Sequence, residues 1–211
     1  MTSINLQPNH VTMRDKPVKA EWHGKMMGAL ETFVSEVPTS QEPAATDPIA
    51  RIKVIGRHAA VKAMVVSGSL AIPPMPWGIV TILPDLLAIW KLQAQMVADI
   101  AGAYGKTATL SREQMMYCLF KHAASQAVRD LVVRVGERIL VRQASLRTIQ
   151  TILGKLGVVI TQRLTGRFIM RWLPVVGVIG VGAYAFYDTL KVAQTAIEFF
   201  GKEIEVELTQ A

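Results

Sequence analysis

Residues 70–85 read LAIPPMPWGIVTILPD, and whether this run enters a bilayer or turns between helices decides what kind of fold the chain adopts. Prolines at 73, 74, 76 and 84 each lack an N–H and restrict the residue before them, so no ordinary helix runs through its middle. The run lies within 28 residues, between Lys62 and Lys91, whose one charge is Asp85. A spanning helix needs about 20 apolar residues to cross roughly 30 Å. This stretch is long enough but broken, so it could enter only as a bent, re-entrant hairpin, and irregular backbone in hydrocarbon is costly. The 16 uncharged residues between Arg171 and Asp188 reach only about 24 Å at about 1.5 Å per residue. The leading expectation is that a soluble or peripheral domain buries both stretches, with reversible insertion and stable integration as the competing readings.

Composition narrows the partners. Hydrophobic residues make up 51% of the 211 and charged ones 18%, against about 25% charged in ordinary domains. A net charge of +7 draws such a chain toward anionic surfaces. The lone Cys118 excludes an internal disulfide. MTSINLQPNHVTMRDKPVK carries no apolar secretory core, which makes the cytoplasm the expected compartment.

Working outward, Trp22, Met26, Leu30, Phe33 and Val37 recur at helical spacing and predict a short amphipathic helix. PTSQEPAATDP, 38–48, reads as a linker ending in an Asp47 N-cap with Pro48 at the first helical position. Residues 1–47 are thus expected to form an N-terminal arm, and 48–211 the main helical domain. Its helices are expected from Pro48 to Val66, from about Pro84 to Gly105, from the Ser111/Gln114 capping box to about Gln143, from Ser145 to Leu173 and from Pro174 to Gly201. Lys91, Gln95 and Asp99 should face water. Apart from EIEVEL at 203–208, nothing alternates with period two. The expected architecture is an all-α bundle of five to seven helices with a Pro-rich apolar connector.

Arg134, Arg138 and Arg142 stand four apart, and Arg163, Arg167 and Arg171 repeat that spacing. On helices each set is a basic stripe, either a solvated face or a face for anionic headgroups, with Phe168 and Trp172 as apolar neighbours. Nucleic acid is disfavoured because no aromatics interleave with the arginines and no recognition motif is present.

GAYGKT at 102–107 is not a phosphate loop, since position 100 is Ile and a helix precedes it where a strand is required. GVIGVG at 177–182 reverses the dinucleotide order of glycines, and Gly177, Gly180 and Ala183 read instead as a small-residue stripe for helix packing. Cys118 and His122, one turn apart, could face a metal, but four histidines without HExxH favour a hydrogen-bonded histidine. No metal or cofactor is expected. Asp85, His58 and His122 are the candidate polar site, although Asp85 reads more simply as a first-turn carboxylate favoured by the helix dipole.

IPPMPWGIVTILPDLLAIWKLQAQMVADIAGAYG and RWLPVVGVIGVGAYAFYDTLKVAQTA resemble the EcsC family and the related YcjF-type helical membrane proteins, over roughly residues 50–200. The resemblance implies an all-α bacterial protein at the cytoplasmic face of the inner membrane, associated with ABC exporters or, among the relatives, with small GTPases. Asp85 matches the usual aspartate position, and no catalytic residue is implied. A continuous membrane hairpin is not obvious here, which departs from that pattern. The expectation is a peripheral membrane or lipid-binding accessory protein, its partners anionic lipid or a membrane complex such as a transporter, with Trp77 at the headgroup level. The alternative is a soluble helical module that docks a partner protein, and a hydrolase of unknown substrate is the lesser one.

Overall fold

A computed structural model describes residues 15–70, 78–135, 138–168 and 174–207. Among them are six α-helices: α1 (Asp15–Ser35), α2 (Pro48–Leu70), α3 (Gly78–Ala103), α4 (Arg112–Val128), α5 (Leu146–Phe168) and α6 (Pro174–Phe200). Three short strands, β1 (Val132–Val135), β2 (Arg138–Arg142) and β3 (Glu203–Glu207), complete them. The chain is a helical bundle with a small appended sheet.

The caps are those the sequence announces. Asp47 accepts from the Ala50 N–H at 3.1 Å, and Ser111 and Gln114 form the reciprocal capping box that opens α4. Ser145 accepts from the Thr148 N–H at 3.2 Å to open α5. Gly105, at φ 69°, ends α3, with the Lys106 N–H bonded to the Ala101 carbonyl and the Gly105 N–H to that of Gly102. α3 begins earlier than expected, at Gly78, and carries Pro84 inside it. Asp85 therefore lies about two turns in, beyond the first-turn amides it was expected to stabilise.

α4 stops at Val128 instead of running to Gln143, and β1 pairs antiparallel with β2. The arginine ladder hid this, because a spacing of four fits a strand's period of two as well as a helix's 3.6. VVRV and RILVR are dense in β-branched residues, which suit a pleated sheet better than a helix. Ile139 and Val141 turn inward, each 1% exposed.

The expected linker is tied down. Asp99 accepts from the Gln41 N–H at 2.8 Å, Gln95 donates to the Thr39 carbonyl at 3.0 Å, and the Ala45 N–H bonds to the Ala103 carbonyl at 3.0 Å. Gln95 and Asp99, expected to face water, thus hold residues 39–45 against α3. The helix of the expected arm also joins the core: Met26, Leu30, Phe33 and Val34 are buried in the same cluster as Trp90, Phe120, Leu153 and Phe199. Trp90 is the joint, with Phe33 at 5.7 Å on one side and Phe120 edge-on at 5.6 Å on the other.

α2 and α6 run antiparallel and close. A Cβ added at Gly56 would stand 3.1 Å from the Ala193 Cβ, and one at Gly182 would stand 3.2 Å from the Met64 carbonyl oxygen. The α6 face used here differs from the expected stripe. Gly180 has nothing within 4 Å of a built Cβ and Ala183 is exposed, while the seam is made at Gly182, Ala185 and Ala193. No packing is described at Gly177, whose surroundings lie outside the described side chains.

These two glycines should therefore respond oppositely in thermal melts. Gly56→Val is expected to cost about 1–3 kcal/mol by overpacking the seam. Gly180→Ala should be neutral or stabilising, by up to about 1 kcal/mol of helix propensity.

Candidate functional site

Among the described residues a polar cluster joins α3, α4 and α6, with the Asp188 carboxylate at its centre. Oδ1 accepts from His122 Nε2 at 2.9 Å and from the Tyr184 hydroxyl at 3.0 Å, and Oδ2 accepts from Gln93 Nε2 at 3.0 Å. Gln93 also reaches Thr189 Oγ1 at 3.2 Å. Helical geometry supplies the aim, since Tyr184 and Asp188 lie one turn apart on α6 while Gln93 and His122 come from the facing helices. Gln93 and Thr189 are fully enclosed, at 1% and 0% exposure.

Burial alone would push the Asp188 carboxyl up. The hydrogen bond from His122 and its charge, with the bonds from Gln93 and Tyr184, outweigh that and hold it below the ordinary carboxylate range. Because the carboxylate is the acceptor, His122 donates from Nε2. Its Nδ1 is buried with no partner, so in the neutral ring an unshared lone pair is sealed from solvent.

This arrangement fixes helices in place and is a poor proton-transfer device. Both Asp188 oxygens are occupied, a carboxylate stabilised as the anion is a weak base, and Nδ1 has no route to a substrate. Cys118 sits one turn before His122 but is fully buried, and burial pushes its thiol far above the ordinary range although Lys121 pulls the other way. That is neither a nucleophile nor a metal ligand. No group of three or more His, Cys, Asp or Glu side chains that could hold a metal occurs among the described residues.

The structure thus gives His122 a partner 66 positions away that the sequence reading did not single out. His58 is exposed on α2 and Asp85 is half-buried on α3. The available signal for Asp188 was that it is the first carboxylate after Glu137, placed one turn from Tyr184 in an apolar helix.

The lysine of GAYGKT has a structural use as well. Lys106 Nζ donates to the Phe200 carbonyl at 2.7 Å and to the Lys202 carbonyl, capping the end of α6 with a cation. A cleft of about 460 Å³ beneath the 37–42 strap is lined by Val37, Pro38, Thr39, Ser40, Glu42, Thr107 and Leu110. Its carboxylate, Glu42, is engaged by Arg51 at 2.7 and 2.9 Å.

The arginines divide. Arg134 pairs in register with Ile139, in the row of Val132 and Val141, whereas Arg138 and Arg142 belong to the row of Leu140. The three do not form one stripe. β3 pairs parallel with β2, with Arg138 in register with Glu203 and Arg142 in register with Glu207. Arg163, Arg167 and Phe168 lie on α5, but their side chains, like all of Trp77, Arg171 and Trp172, lie outside the described residues.

Two helices keep an outward basic and apolar surface. α2 exposes Val54, Val61 and Val65, with Lys53, Arg57, His58 and Lys62 also exposed. α5 exposes Leu146, Arg147, Lys155 and Val158. Neither helix contains a carboxylate. No helix among the described residues is long and apolar enough to cross a membrane.

Asp188→Ala would leave the donors of His122, Gln93 and Tyr184 without their acceptor, an expected loss of about 3 kcal/mol in urea unfolding. Because the folded carboxyl titrates below its ordinary value of 3.8, its contribution is complete above the unfolded pKa and fades as pH falls through the folded one. The stability gap between wild type and Asp188→Asn should therefore narrow below about pH 4.

Comparison of the chain with family models, with curated proteins and with solved structures found no match.

Proposed function

We propose that the protein is a peripheral membrane accessory protein that binds the anionic cytoplasmic face of a bilayer, in the manner that the resemblance to the EcsC family implies, with a membrane complex such as a transporter as its setting. The observation that supports this reading is the coincidence of basic and apolar surface on α2 and α5. Exposed valines lie among lysines and arginines, and no carboxylate occurs in either helix. A helix of this composition lies in the interfacial plane, its apolar side chains below the headgroups and its cations among them.

A second reading, docking of a partner protein, draws on α6. Tyr187 is 59% exposed and Tyr184 38%, and tyrosine is enriched in protein interfaces. The two readings separate in solution.

Vesicle co-sedimentation should increase with the fraction of anionic lipid. It should weaken as salt shortens the Debye length from about 10 Å at 0.1 M to about 3 Å at 1 M. Protein that ignores anionic vesicles even at low salt would overturn the membrane reading and leave partner docking.

A further inference from the structure

Resting on that reading, we infer that the outward face of α2 is the docking surface, and that its occupant is an anionic phospholipid leaflet. Val54, Val61 and Val65 are 57%, 40% and 60% exposed. At about 100° per residue, positions seven and eleven apart fall within about 20° of one line. That line is opposite the residues α2 buries, Ile52, Ile55, Ala59, Ala60 and Ala63. The α2–α6 seam thus turns the valine stripe away from the core.

Cations flank the stripe on both sides. Lys53 and Arg57 lie along one edge and His58 and Lys62 along the other, all exposed. Arg51, near the start of the helix, is engaged by Glu42, leaving Lys53, Arg57 and Lys62 as the cations of this face. An apolar centre with cations on either flank complements the section of an anionic leaflet, acyl chains beneath and phosphates to each side. A protein partner would have to present an apolar ridge between two acidic rows. The hairpin arginines are weaker candidates, since Arg138 and Arg142 pair in register with Glu203 and Glu207.

The test uses full-length protein and vesicles of phosphatidylcholine with phosphatidylglycerol. Each cation near an anionic leaflet contributes about fivefold in partitioning, so Lys53→Gln with Arg57→Gln and Lys62→Gln should weaken binding about 100-fold at low salt. Val54→Ser with Val65→Ser should weaken it roughly tenfold and mainly at high salt, where the apolar part remains. All five positions face outward, so melting temperatures should hardly move, and a variant that melts much earlier is replaced by one carrying single changes. An environment-sensitive dye on Val61→Cys should shift to the blue on these vesicles, and further than the same dye on Val158→Cys of α5. The buried Cys118, with its raised thiol pKa, resists labelling. If wild type binds but the α2 variants bind equally well and the dye at 61 does not shift, the inference is overturned while the membrane reading stands. If wild type binds no vesicles, both fall; a dimer dissociated by Val61→Glu would then make the stripe an interface between copies.

Discussion

The close approach of α2 and α6 is the constraint on which the remaining arrangement depends. Two helix backbones come this near only where side chains are absent or small. Gly56 against Ala193 and Gly182 beneath Met64 provide that, with Ala60 and Ala63 completely buried along α2. Once α6 is seated there, its neighbouring faces carry Val192, Ala196, Phe199 and Phe200 into the core shared with α1, α3, α4 and α5. The opposite side of α2 is left facing out. A larger residue at Gly56 would therefore disturb the core and the outward surface together.

Within this apolar body the polar groups act mainly as fasteners. Asp188 binds α6 to α3 and α4, and its buried charge is tolerable because three donors converge on it. Lys106 closes the end of α6, and Asp99 with Gln95 holds the strap that leads into α2. Residues that suggest chemistry in isolation, a histidine near a cysteine or a glycine-rich loop ending in lysine, are used in this way. On the outward face of α2, cations and valines share a surface without carboxylates.

The sheet redistributes charge in a way that helical reasoning could not anticipate. RILVR and EIEVE are complementary alternating strands, and parallel pairing puts Arg138 and Arg142 in register with Glu203 and Glu207. A basic stripe on a long helix would have been an outward anion-binding face. On β2 the same residues stand in register with acidic positions of their own chain, whereas α2 and α5 contain no carboxylate.

Much of this was determined by local chemistry and so could be read from the residues alone. The Asp47 and Ser111 caps, the stop at Gly105 and the helical periods of α1, α2 and α6 depend on neighbours a few positions away. The hairpin escaped because arginines four apart satisfy two periods at once, and only pairing across β1, β2 and β3 chooses between them. The candidate site was half legible: His122 was visible as a candidate, but its partner Asp188 is 66 residues away, a distance that no local pattern spans. Which small residues form the seam was likewise settled by tertiary structure. Gly180 and Ala183 have the right size, yet the rotation of α6 against α2 selects Gly182 and Ala193. That same rotation, and no property of the valines themselves, is what leaves Val54, Val61 and Val65 exposed.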